Sequence, residues 1–235
     1  MVTKRAKLRA HMFASSSETR HEKAYVEIRH RILEGEILPD EPLSEYQLAV
    51  ELKVSRTPVR EALKRLEHKG LVRFVPNRGA FVRGLSVADI VEIYQVREQL
   101  EGFAARIASS EMPDADIEVL EQELEYAHDL PAAGRMQEAF ASDVHLHKQL
   151  IECTKNTRLA AILATLDDQV HRIRVLSPNT PGRLEATLGE HREILNCLKL
   201  RDPEGAQKAM LHHLRAAREN AIRVMTVLGT GRKAF

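Results

Sequence analysis

Leu48-Ala49-Val50-Glu51-Leu52-Lys53-Val54-Ser55-Arg56-Thr57-Pro58-Val59-Arg60-Glu61-Ala62-Leu63-Lys64-Arg65-Leu66 is the stretch on which the fold turns. Leu48, Ala49 and Leu52 form the apolar face of a short helix, with Ser44 as its N-cap. The pattern breaks at Lys53-Val54 and restarts after Ser55, a second cap, with Val59, Ala62, Leu63 and Leu66 at three- and four-residue spacing. Polar and basic groups crowd the first turn of this second helix. Arg56 and Arg60, four apart, share a face and offer forks suited to guanine O6 and N7. The Ser55 and Thr57 hydroxyls, with the free amides of the first turn, suit phosphate oxygens. Pro58 gives up no hydrogen bond so near a helix start. A recognition helix presents such N-terminal residues to the major groove of DNA.

Reading outward, Ala24, Ile28, Ile32 and Leu33 mark a helix that starts near Glu18 and stops at Gly35 and Pro39. Downstream, Gly70 suits the C′ position of the second helix. Leu71 to Val75 and Ala80 to Val82 are strand-like runs flanking Pro76-Asn77-Arg78-Gly79, a hairpin signal. Three helices and a hairpin describe a winged helix-turn-helix over residues 18–84. Its tip, Asn77-Arg78-Gly79, is placed to enter the adjacent minor groove, where arginine meets negative potential.

The chain has 235 residues, 43% hydrophobic and 29% charged, enough for two ordinary domains. The net charge of +1 conceals a division. Residues 1–84 carry 17 Lys+Arg against 11 Asp+Glu, and the remainder 18 against 23, giving +6 and −5. A basic head on an acidic body fits a nucleic-acid partner for the head alone. Residues 1–17, basic and then serine-rich, read as a flexible arm, and 230–235 as a tail. The opening residues Met1 to Phe13 lack the apolar stretch of a signal peptide, and no run approaches the roughly 18 apolar residues of a membrane span. Two cysteines, Cys153 and Cys197, make no disulfide framework, which points to the cytoplasm.

Beyond Val82 the pattern is helix after helix, over 86–109, 114–129, 133–154, 157–176, 182–200 and 203–228. Breaks fall at Met112-Pro113, Leu130-Pro131, Asn156, Ser177-Pro178 and Asp202-Pro203. The expected fold is mainly α: an N-terminal winged helix-turn-helix and a C-terminal antiparallel six-helix bundle. The bundle, residues 85–229, reads as an effector-binding and dimerisation domain.

Seven of the eleven histidines lie in this second part. Asp143 and His147 project from one helical face, His191 follows on another helix, and His212 and His213 sit on the last. Converging in a bundle core, one carboxylate and three imidazoles could hold a transition metal. Equally, Asp143 and His147 could be an i, i+4 pair and the other histidines surface or satisfied core groups. Arg97, on a stripe with Ile90, Tyr94, Ala104 and Ala108, is either a cation for an effector carboxylate or the partner of Glu101. Arg172 and Arg174 are weaker anion-binding candidates. A metal-dependent hydrolase fused to a DNA-binding head is the competing class. Against it, the chain has no His-Glu-x-x-His pair, no Gly-x-Ser-x-Gly elbow and no glycine-rich phosphate loop.

The run from Leu48 to Leu66, followed by Gly70-Leu71-Val72 and Arg78-Gly79, closely resembles the GntR family of bacterial transcription regulators. That resemblance implies a winged helix-turn-helix binding a short inverted repeat of double-stranded DNA as a homodimer. Its DNA contacts fall here on Ser55, Arg56, Thr57, Arg60, Arg78 and Gly79. Two departures are visible: the usual Pro-Gly turn reads Pro39-Asp40, and Tyr46 stands where an arginine commonly contacts DNA. Residues 85–228 resemble the FCD domain of the FadR branch through Val96-Arg97-x-x-Leu100-Glu101, Asp143-x-x-x-His147, Glu190-His191-x-x-Ile194-Leu195 and His213-Leu214. The six-helix count suggests the shorter, VanR-type form. The resemblance implies a divalent metal on Asp143, His147, His191 and His213, with His212 as the alternative last ligand. Zn²⁺ is expected, with Ni²⁺ or another transition metal as alternatives. It also implies that this domain binds a ligand; a small carboxylate-type metabolite held at the metal, with Arg97 as the candidate effector-binding cation, is expected to control operator affinity. No membrane partner is expected.

Overall fold

In the N-terminal unit, α1 (Arg20–Leu33) turns Ala24, Ile28 and Ile32, four residues apart, into the core. The computed structural model describes residues 20–130, 136–176, 180 and 182–231. The expected arm at 1–17, most of the tail, and the breaks at Pro131 and Ser177-Pro178 lie outside the described residues. The chain divides into two units, one ending at Gly84 and the other starting at Leu85.

Helix α2 (Glu45–Leu52) opens at Ser44, whose Oγ accepts from the Gln47 amide at 3.3 Å. It buries Leu48, Ala49 and Leu52 and stops at Lys53, which adopts the left-handed region with φ 55°. Helix α3 (Arg56–His68) buries Val59, Ala62, Leu63 and Leu66. Ser55 sits at its N-cap with extended backbone, but its hydroxyl makes no cap hydrogen bond. At the other end the Gly70 amide donates to Glu67 and the Leu71 amide to Leu66, a Schellman closure that requires the positive φ of Gly70. Full burial of Ile28, Leu63 and Leu66 contributes about 1.5–3 kcal/mol each to this small core.

The wing is β2 (Val72–Val75) and β3 (Gly79–Val82), paired antiparallel with Val75 opposite Gly79. Asn77 and Gly79 supply the positive φ of the turn. Leu71 is absent from the strand because its amide closes α3. A further strand, β1 (Pro42–Leu43), pairs with β3 and completes the order β1-β3-β2. Two residues beginning with proline carry no alternation, so sequence pattern could not reveal it.

The second unit has seven helices among the described residues: α4 (Val87–Glu111), α5 (Asp114–Asp129), α6 (Met136–Cys153), α7 (Thr157–Ala164), α8 (Asp167–Leu176), α9 (Arg183–Lys199) and α10 (Pro203–Gly231). Helix α4 starts in a capping box: Ser86 Oγ accepts from the Asp89 amide, and Asp89 accepts from the Ser86 amide. Its buried face includes Ile90, Tyr94, Ala105 and Ala108, and packs along α10. Gly102 permits that approach, since a Cβ there would stand 3.3 Å from Leu211 Cδ2. The α4–α5 corner is stitched by Arg201, which donates to the Met112 carbonyl at 2.7 Å and pairs with Asp114.

The span read as one helix over 157–176 is two. Thr165 closes α7 by donating its hydroxyl to the Ile162 carbonyl at 2.6 Å, while the Leu166 amide turns back to Leu163. Asp167 and Asp168 then open α8, where the helix dipole favours acids. The helix count that suggested the shorter FCD form is therefore seven. At the C-terminus α10 continues to Gly231, past the expected end at 228.

Candidate metal centre and nucleic-acid interface

Four side chains from three helices meet inside the second unit. Asp143 and His147 lie one turn apart on α6, His191 comes from α9 and His213 from α10. Their ligand atoms all lie within 4.8 Å of one another. His147 Nε2 is 3.2 Å from His213 Nε2, and Asp143 Oδ1 is 3.3 Å from His191 Nε2 and 3.7 Å from His147 Nε2. Tetrahedral zinc, with bonds of about 2.0–2.2 Å to nitrogen and oxygen, sets its ligand atoms about 3.3 Å apart. The observed spacings bracket that value.

Two outer carboxylates orient the rings. Glu101 Oε2 lies 2.5 Å from His147 Nδ1, and Glu190 Oε2 lies 2.8 Å from His213 Nδ1. An ionised carboxylate only accepts, so each Nδ1 carries a proton, and a neutral ring then turns the lone pair of its Nε2 toward the cluster. His147 Nε2 and His213 Nε2 thus stand 3.2 Å apart beside the Asp143 carboxylate, so a single cation, a proton shared between the rings or a metal ion, is what this spacing accommodates. His191 Nε2 is buried with no hydrogen-bond partner, despite its 3.3 Å approach to Asp143. A buried ring nitrogen left without a hydrogen bond is costly, and a metal ion bound there would remove that cost. The residues present fit a divalent transition metal.

The outer carboxylates are themselves held. Glu101 receives Arg97 Nε at 2.6 Å, and Glu190 receives the Arg183 fork at 2.6 and 2.8 Å. Arg174 pairs with Asp143 Oδ2 at 2.8 Å. Burial opposes ionisation of Glu190, but His213 and Arg183 bring it down to about 2. Burial also opposes the Asp143 charge, which Arg174 and the imidazoles nevertheless hold well below the usual carboxylate range. Burial lowers His213 to about 3, keeping the ring neutral, the state a metal requires. His147 is pulled the other way: burial opposes its charge, yet Glu101 and Asp143 raise it.

Of the two sequence readings of Arg97, the arrangement present is the pair with Glu101. Both side chains are 5% exposed. His213 joins the cluster, whereas His212 is exposed and lines a separate open cavity of about 440 Å³ with Cys197 and Lys208. His145 pairs with Glu123 instead. The bracing roles of Glu101, Glu190 and Arg183 escaped sequence reasoning. The nearest signal was the adjacency of Glu190 to His191, which says nothing of its reach to another helix.

In the first unit, Ser55, Arg56, Thr57 and Arg60 are all exposed at the start of α3, and Arg78 and Gly79 are exposed at the wing tip. Arg78 lies over the Phe81 ring at 5.6 Å. Tyr46 projects from α2 with 69% exposure. An acid overlooked in the sequence, Glu45, accepts from Arg60 Nε and Nη2 at 2.9 and 2.8 Å and from Arg56 Nη2 at 3.2 Å.

Comparison with known proteins resolves the class. The model for bacterial regulatory proteins of the gntR family matches residues 20–82, and the FCD domain model matches residues 92–216, more than half of the chain. The chain belongs to the GntR family and carries an FCD domain. This GntR regulator is 30% identical over 190 residues to the HTH-type transcriptional regulator YdhC of Bacillus subtilis, covering 80% of this chain and 85% of YdhC. It is 29% identical over 200 residues to the HTH-type transcriptional repressor RspR of Escherichia coli K12, covering 85% and 88%. Among solved structures, Escherichia coli McbR/YncC is similar in fold, with TM-score 0.68 and 21% identity over 84% of this chain and 94% of that one. The GntR regulator from Rhodococcus sp. RHA1 gives 0.71 and 24% over 86% and 97%. The protein is thus a DNA-binding transcriptional regulator of GntR/FCD type, and its relatives are regulators, not enzymes. Among the described residues no helix is long and apolar enough to cross a membrane.

Proposed function

We propose that the helical domain is a sensor in which Asp143, His147, His191 and His213 hold a divalent metal, Zn²⁺ foremost. The carrying observation is the convergence of their ligand atoms within 4.8 Å, with His191 Nε2 buried and unpartnered. Bound there, such an ion would supply a Lewis-acidic centre, and a carboxylate oxygen of a small organic acid would join it as a further ligand by raising its coordination above four. Arg97, through Glu101, and Arg183, through Glu190, fix the rings of His147 and His213. Mutation of such outer partners weakens metal sites by about 10–100-fold.

The head reads DNA through Ser55, Arg56, Thr57 and Arg60 in the major groove and Arg78-Gly79 at the wing. The protein acts in the cytoplasm as a homodimer on a short inverted repeat, and the effector shifts operator affinity. Elemental analysis of the purified full chain tests the metal reading. Close to one divalent metal per chain is expected, falling to a trace in Asp143→Ala/His147→Ala. Equal metal in the two proteins, or none in either after growth and dialysis with Zn²⁺, contradicts it.

A further inference from the structure

The start of α3 carries its own acid clamp. Arg56 and Arg60 offer the forks that suit guanine, yet both are engaged by one carboxylate from the neighbouring helix, that of Glu45. The arginine side chains are 61% and 54% exposed, whereas Glu45 is 21% exposed beneath them. The contact is side-on. Glu45 Oε1 takes the Arg60 Nε hydrogen and Oε2 takes one of the two on Nη2, so Nη1 and the second Nη2 hydrogen, at the end of the guanidinium, stay outside the pairing. Oε2 also receives Arg56 Nη2, which ties the two arginines to a common point.

Exposed ion pairs add little to stability. A carboxylate facing a phosphate backbone also repels it, so on charge alone Glu45 harms DNA binding. What it provides is geometry. A free arginine samples many rotamers and can meet acceptors by its Nε edge or its end; one held side-on keeps only the end for a base. We propose that Glu45 is a specificity-determining positioning residue, holding the Arg60 guanidinium so that its paired Nη hydrogens meet guanine O6 and N7 in the major groove. This rests on the reading of α3 as the recognition helix.

The test uses the full chain and two labelled duplexes: one recovered by the wild type from a randomised pool, one of unrelated sequence. Fluorescence anisotropy gives the affinity ratio between them. Glu45→Gln removes the charge: it binds the unrelated duplex several-fold tighter, gains nothing on the selected one, and so lowers the ratio by the same several-fold factor. Glu45→Asp keeps the charge but shortens the reach: the ratio falls comparably with unrelated binding unchanged. In an Arg60→Ala background neither substitution lowers the ratio further, because Glu45 acts through Arg60.

The proposal is overturned if both Glu45 variants keep the wild-type ratio within about twofold, or if their losses add to that of Arg60→Ala. Failure of both variants to fold also overturns it, since Glu45 would then serve stability. Arg60→Ala separates this from the wider reading. If it keeps the ratio, the recognition-helix assignment falls; if it loses the ratio while the Glu45 variants keep it, only the clamp falls.

Discussion

Replacing Arg97 by methionine separates a structural cation from one that waits for a ligand. The Arg97 and Glu101 side chains are each 5% exposed and meet at 2.6 Å, and the other Glu101 oxygen faces His147 Nδ1 at 2.5 Å. Burial opposes both charges, yet the pairing prevails, raising Arg97 above its usual value and holding Glu101 below the usual carboxylate range. Loss of the guanidinium leaves a buried carboxylate with only an imidazole to balance it. Removing one member of a buried pair costs about 3–5 kcal/mol. At about 2–4 °C per kcal/mol for a unit of this size, the melting temperature of metal-free protein should fall by about 6–20 °C. Arg97→Met/Glu101→Gln strands no charge and should regain most of that loss. Circular dichroism of the full chain at neutral pH is the assay. Melting of Arg97→Met within about 2 °C of wild type refutes the reasoning and returns Arg97 to a ligand-facing role. A double variant as unstable as the single one would assign the loss to packing instead of charge.

Zn²⁺ added to metal-free protein at about 100 times its dissociation constant should stabilise it by about 2.7 kcal/mol, seen as a rise in melting temperature that His191→Ala abolishes. Glu190→Gln should weaken Zn²⁺ binding about 10–100-fold in competition with a chelating dye, without unfolding the protein, because it loosens His213 and leaves the four ligands in place. At the wing, Arg78→Ala should weaken binding to DNA of any sequence and reduce the slope of log affinity against log salt by about 1. In the core, Gly102→Val should lower stability by about 1–3 kcal/mol in urea titration, since even a Cβ would stand 3.3 Å from Leu211.

The winged helix-turn-helix was legible because its elements announce themselves locally. Ser44, Gly70 and the Asn77 turn act through hydrogen bonds to residues close in sequence, and the faces of α1 to α3 follow a 3.6-residue period. The strand β1 was not legible, since pairing with β3 is its whole definition and Pro42-Leu43 shows no pattern of its own. The single helix expected over 157–176 failed for a related reason. Thr165 is compatible with a continuing helix, and only its hydroxyl bond to Ile162 and the acids that follow tip it into a break.

At the site, Asp143 and His147 could be placed on one face from their spacing, but spacing carries no information between helices. That left His212 and His213 equivalent until burial separated them. The bracing acids were invisible for the same reason: Glu101 to His147 spans 46 residues, and Glu190 to His213 spans 23. The clamp by Glu45 on Arg60, 15 residues away, belongs to the same class of contact.

Occupancy of the four-residue site in the helical domain is expected to govern the DNA affinity of the head. The most direct test is the dissociation constant for the pool-selected duplex, measured by anisotropy at one fixed salt concentration. Wild type and Asp143→Ala/His147→Ala are compared, each Zn²⁺-loaded and chelator-treated, with and without a panel of small organic acids. At least one acid should shift the Zn²⁺-loaded wild type by about 5–150-fold, and the double variant should not respond. A wild type indifferent to metal and acids alike, or a double variant that responds equally, would contradict it.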